Sequence, residues 1–249
     1  MNGIGSLLTL ILLAALPIVL AYLWLVIRKY RFNMIWFLSA LLAGILSVLI
    51  TMCIQTIIPL FKIETLFALF LNIVARTALP EELSKFAMMF LLIALAKRWK
   101  RLNPIETKSD GAATGLVIAL GFALFETAAY SMSNMQLTFL RAITAAPIHA
   151  ACGIRTGMSA VSFKTNHTTS GIWNIILALV IHTVYNYLVL NAGTPIIFLV
   201  LLVAVSVISS LRNIKENIDI TPKSSEPLRS LSRKNQTNST KNSAEPPRP

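Results

Sequence analysis

Hydrophobic residues run along this chain in long blocks separated by short polar breaks. Blocks of roughly 20 apolar residues are what a helix needs to cross the hydrocarbon of a bilayer. Seven such spans are predicted: Ile4 to Ile27, Met34 to Leu60, Leu66 to Ala96, Gly111 to Met132, Leu140 to Phe163, Ile172 to Leu190 and Pro195 to Leu211. The third is too long for one simple span and is interrupted at Pro80. Leu66–Leu79 therefore reads as a shorter entering or interfacial piece, and Glu81–Ala96 as the rest of that span. The first block lacks a basic leading region and a small-x-small cleavage site, so it reads as a retained helix and not as a secretory signal. The expected fold is an all-α polytopic bundle over residues 1–212, followed by a basic tail over 213–249. That tail is mostly Ser, Asn, Pro, Thr and Lys and has too little apolar surface to fold, so it is expected to be disordered.

Charge changes the picture by giving a direction. Only 13% of residues are charged against 55% hydrophobic, and the net charge is +12. The mean hydropathy of +0.70 lies outside the range of soluble domains. The basic residues cluster after spans one, three, five and seven, with Lys62 an exception between them. By the positive-inside rule this puts the amino terminus outside and the tail in the cytoplasm. It also accounts for the positive charge without nucleic acid, which would need a basic face with interleaved aromatics on a soluble domain. Cys53 and Cys152 fall in different apolar runs and read as buried small hydrophobes.

Against this apolar background a few ionisable residues stand out. Up to Arg212 there are six acidic residues, and three of them, Glu81, Glu82 and Glu126, fall where the pattern puts lipid, as do His149 and His182. A carboxylate at mid-bilayer costs about 2.5–3.5 kcal/mol even on lenient scales, so such residues are normally kept to face a protein interior. At roughly 1.5 Å of rise per residue, Glu82 lies roughly 22 Å from Lys97, Glu126 roughly 24 Å from Asp110, and His149 roughly 22 Å from Lys164. His182 lies roughly 16 Å from Gly171, and Asn186 one turn further on. Four helices thus bring polar groups to one layer in the outer half of the membrane, which predicts a single site.

Spacing adds detail. Glu81 and Lys85 are four apart, so the lysine can neutralise or orient a carboxylate; His182 and Asn186, and Phe122 and Glu126, repeat the interval. Gly111, Gly115, Ala119 and Ala123 form a small-residue stripe that lets a neighbouring helix approach closely, with Glu126 on its flank. Two carboxylates sharing a low-dielectric pocket can supply a general base and a general acid. Histidines beside them can polarise a carbonyl, stabilise an oxyanion or ligate a divalent metal such as zinc. Water held between Glu and His and attacking an amide is the economical use. The chain has no Gly-x-Ser-x-Gly and no His-Glu-x-x-His motif.

These residues resemble the PrsW-type intramembrane proteases, related to the CAAX-processing and bacteriocin-protection membrane proteases. The resemblance rests on Glu81-Glu82-x-x-Lys85, on Asp110-Gly111-x-x-x-Gly115 leading to Gly121-Phe122-x-x-x-Glu126, on Arg141 ahead of His149, and on His182-x-x-x-Asn186. It implies a peptidase acting in or next to the membrane of a prokaryotic cell, on a membrane protein or lipid-anchored peptide such as a membrane-bound anti-sigma factor. It carries catalytic roles onto Glu81, Glu82, Glu126, His149 and His182, with Lys85, Asn186, Arg141 and Phe122 in support. If a metal is used, His149, His182 and Glu126 are the expected ligands. Thr127 stands where the family usually has asparagine, and Arg155 is unusual.

Two other classes fit the same polar groups. A transporter or channel could relay protons or bind a cation with them, and a non-catalytic scaffold or immunity protein could retain the fold. Snorkelling explains Arg141 as well as function does, while Arg76 and Arg155 read as structural. The Asn-x-Thr triplets at Asn166, Asn235 and Asn238 fall on the expected cytoplasmic side, against glycosylation.

Overall fold

The computed structural model describes residues 3–219 except 31, 100, 101, 103, 132–134 and 192. Among the described residues there is helix and no strand. The helices are α1 (Gly3–Ile27), α2 (Met34–Ile57), α3 (Leu66–Asn72), α4 (Leu79–Arg98), α5 (Lys108–Ser131), α6 (Met135–Lys164), α7 (Thr168–Leu190) and α8 (Ile196–Asp219). By length and composition, Met34–Ile57, Lys108–Ala129, Thr168–Leu190 and Ile196–Ile214 are apolar enough to cross a membrane. Helices α4 and α6 are less apolar because they carry the ionisable residues singled out above. Large hydrophobic side chains on the outer faces of α2, α7 and α8, such as Leu38, Leu42, Trp173, Val180 and Leu201, are exposed, as a lipid-facing surface requires.

Helix α5 is the axis of the bundle. Every residue from Gly111 to Ala123 is buried, in keeping with a stretch apolar on all sides. It lies against α6 on one side and α2 on another. The α5–α6 contact is backbone on backbone: a methyl group on Gly115 would collide with the carbonyl oxygen of Gly153, and one on Gly157 with that of Gly111. The small-residue stripe therefore faces α6, and Ala119 meets Gly153 in the same seam. A capping box opens α5. The Asp110 amide donates to Thr107 Oγ1 (3.1 Å), and the Thr107 amide donates to Asp110 Oδ2 (2.9 Å). Tyr30, in the α1–α2 loop, donates its hydroxyl to Asp110 Oδ1 at 2.9 Å, and burial together with the Asp110 charge pushes the phenol pKa up.

The break expected at Pro80 is absent. Helix runs from Leu66 to Arg98 without interruption, because a π-helical segment, Ile73–Ala78, makes room ahead of the proline. Pro80 has no amide to give the carbonyl of Arg76, its usual partner four residues back. Gln55 of α2 supplies the bond instead, its Nε2 lying 2.7 Å from that oxygen. The Arg76 guanidinium turns away to cap the end of α2 through the carbonyl of Ile58 (2.8 Å). Two further expectations change. Helix α8 continues past Leu211 to Asp219, so the tail begins as helix; residues 220–249 lie outside the described residues. Cys152 is buried, but Cys53 lies on an outward face of α2 and is exposed.

Candidate active site

Glu81 and Glu82 occupy the first turn of α4, directly after the π segment. Both are buried, at 4% and 1% exposure, so they are not a solvated helix start. Glu82 is fully engaged. Its Oε1 accepts from Lys85 Nζ (2.6 Å) and from His182 Nδ1 of α7 (2.8 Å), and its Oε2 accepts from Thr156 Oγ1 of α6 (3.1 Å). The lysine thus pairs with the glutamate three residues back. The four-residue interval suggested Glu81, but the shorter reach to Glu82 prevails. Ser84, in the same turn, shares a 2.6 Å hydrogen bond with Thr51 of α2 and donates to the Glu81 carbonyl.

A second set of contacts joins α5 to α6. Glu126 Oε2 accepts from His149 Nε2 (2.8 Å) and pairs with Arg141 (2.7 Å). Arg141 is therefore the ion-pair partner of a cluster carboxylate, with its side chain only 11% exposed. Lys85 ties the two sets together, its Nζ lying 3.3 Å from His149 Nδ1 and 4.7 Å from the centre of the Phe122 ring. The imidazoles of His149 and His182 meet edge to face, 5.0 Å between centroids. The structure thus brings Glu81, Glu82, Lys85, Phe122, Glu126, Arg141, His149 and His182 into one group drawn from α4, α5, α6 and α7. Thr156 escaped the sequence reading, although it lies seven residues, or two turns, beyond His149 on the same face of α6.

Glu81 differs from its neighbour. Its Oε2 is buried with no hydrogen-bond partner, and lies 3.4 Å from His182 Nε2. His182 Nδ1 faces the Glu82 carboxylate, so its other ring nitrogen, Nε2, is the one that faces Glu81. Asn186, one turn along α7 from His182, has a buried Nδ2 that also has no hydrogen-bond partner. Glu81 Oε2 thus offers an open acceptor within the cluster, and Asn186 Nδ2 an open donor one turn along α7 from His182.

The cluster also offers ligands for a cation. One donor atom each from Glu81, His149 and His182 lie within 4.8 Å of one another. Glu126, expected as the carboxylate of that set, is not in it; its Oε2 is engaged by Arg141 and His149. The group fits a metal in two respects: Glu81 Oε2 is free, and each histidine has one nitrogen held by a carboxylate, the usual outer-shell arrangement of metal-binding imidazoles. His149 would have to yield one contact, and the 3.3 Å approach of Lys85 to Nδ1 is the looser of its two.

Comparison with known proteins identifies a family. The family model described as PrsW family intramembrane metalloprotease matches residues 33–210, a stretch that holds every residue of the cluster. No curated protein and no solved structure matches the chain.

Proposed function

The chain belongs to the PrsW family of intramembrane metalloproteases, and from that membership we propose that the Glu81–His182 face of the cluster hydrolyses a peptide bond in or next to the bilayer. The observation that carries this reading is the unpartnered Glu81 Oε2, 3.4 Å from His182 Nε2. Water held beside this pair gives a proton to the Glu81 carboxylate as its oxygen attacks the scissile carbonyl carbon. The developing oxyanion takes the free Asn186 Nδ2–H, and Glu81 returns its proton to the departing amine. Glu82 does not react: it fixes the orientation and tautomer of His182, while Lys85 balances its charge and Thr156 holds its second oxygen. Glu126 and Arg141 do the same for His149. A divalent metal such as zinc, if held by Glu81, His149 and His182, would occupy the Glu81 oxygen in place of its role as base, and would itself polarise the carbonyl and acidify the water.

The substrate that suits this site is a single-span membrane protein or a lipid-anchored peptide, and the family resemblance favours a membrane-bound regulator such as an anti-sigma factor. Arg28 and Lys29 after α1, Lys97 and Arg98 ending α4, Lys164 ending α6 and Arg212 late in α8 support an amino terminus outside and the tail in the cytoplasm, and the family resemblance favours a prokaryotic plasma membrane. The test is loss of a co-expressed single-span substrate, wild type against Glu81→Ala. Cleavage by wild type alone is expected; equal cleavage by the two overturns the reading.

A further inference from the structure

Arg155 of α6 is 3% exposed, yet none of its hydrogen-bond partners carries a charge. Nη1 donates to the Ala151 carbonyl and to Ser210 Oγ, Nη2 donates to Ser209 Oγ at 2.8 Å, and Nε has no hydrogen-bond partner. Among the described residues no carboxylate lies within ion-pair distance of it, whereas Arg141 in the same helix has Glu126. A guanidinium taken out of water without an anion is costly, and neutral oxygens repay only part of that cost. Ser209, which holds Nη2, also lines a cleft of about 350 Å³ with Val205, Ile208, Arg212 and Asn213. Val205 and Ile208 are lipid-exposed, and Arg212 follows Ser209 by one helical turn toward the end of α8. The cleft is thus apolar toward the membrane centre and basic toward its surface, matching an acyl chain below a phosphate.

We propose that this cleft on α8 binds the phosphate of an anionic phospholipid, with Arg212 in direct contact and Arg155 supplying charge through Ser209. The lining residues all belong to one face of α8, and a basic side chain at the cytoplasmic end of a membrane helix attracts such anionic headgroups. The site is separate from the Glu/His cluster and does not depend on its chemistry.

The test uses the full chain in nanodiscs of defined composition, phosphatidylglycerol against phosphatidylcholine, with retained lipid counted by native mass spectrometry. Wild type should keep one phosphatidylglycerol per chain in preference to phosphatidylcholine. Arg155→Gln and Arg212→Gln should each weaken that preference about fivefold. Should Arg155→Gln fail to fold, the exposed Arg212→Gln, together with Ser209→Ala, decides the matter. An undiminished preference in Arg212→Gln and Ser209→Ala overturns the proposal. So does stabilisation of delipidated protein by inorganic phosphate equal to that by phosphatidylglycerol, which would mark a free-anion site.

Discussion

His182 Nδ1 lies 2.8 Å from Glu82 Oε1, joining α7 to α4 across 100 positions of sequence. That bond settles which imidazole nitrogen faces Glu81, and it divides the labour of two adjacent glutamates that look equivalent in the sequence. One is a hub with three donors; the other keeps a buried oxygen without a hydrogen-bond partner.

The two glutamates should therefore fail in different ways. Glu81→Gln is expected to lower cleavage by at least roughly 10²-fold with the melting temperature nearly unchanged. Glu82→Gln should lose activity as well, and also stability by about 3–5 kcal/mol, because it leaves Lys85 as a buried charge without its carboxylate. Cleavage of a reconstituted substrate, run beside thermal unfolding in detergent, separates the cases. Wild-type rates in both variants would reject the enzymatic reading.

Metal dependence gives a second expectation. Exhaustive chelation should abolish cleavage and added zinc should restore it, while Glu81→Ala or His149→Ala should abolish zinc uptake measured by elemental analysis. Glu126→Gln keeps all three ligands but loses the charge behind His149, and should weaken zinc binding by roughly 10–100-fold. Full activity in the chelated protein would remove the metal from the scheme.

The α5–α6 seam should tolerate no added volume. Gly115→Val would drive a side chain into the carbonyl of Gly153, at an expected cost of at least about 1–3 kcal/mol. Since Glu126 and His149 sit on those two helices, activity should fall with stability. A Gly115→Val protein melting like wild type would show that the helices can separate freely.

Gln55→Ala should leave the Arg76 carbonyl without its donor, costing about 1–3 kcal/mol in thermal unfolding. Restoring an amide at Pro80 should recover part of that loss, so Gln55→Ala/Pro80→Ala should be more stable than Gln55→Ala alone. The reverse order would refute the pairing.

Orientation is checked by labelling. A single cysteine at Asn134, in a Cys53→Ser/Cys152→Ser background, should react with an impermeant maleimide added outside intact cells, and one at Ser225 should not. The opposite pattern would invert the topology.

Much of the site was legible because charge is conspicuous in an apolar sequence. Helical rise alone brought Glu82, Glu126 and His149 to one depth, and the Gly111–Ala123 stripe identified the face of α5 that meets a neighbour. Pairing was harder to read. Lys85 could have served either glutamate, and rotamer reach, not spacing, selected Glu82. That Glu81, and not Glu126, groups with both histidines, while Arg141 pairs with Glu126, is a tertiary outcome no periodicity encodes. Thr156 was lost among the small polar residues of α6. Pro80 misled for a related reason: a proline reads as a break unless a donor from another helix is known to wait for the orphaned carbonyl, and Gln55 lies 21 positions before Arg76.

That donor has a mechanical consequence. Helix α2 grips the continuous helix of the glutamates on both sides of them, at the Arg76 carbonyl of the π segment through Gln55 and at Ser84 of α4 through Thr51. Two such grips on one rod act as a splint and lock its angular phase. The direction in which Glu81 and Glu82 point is thus set by a helix that lends neither an acid nor an imidazole to the cluster.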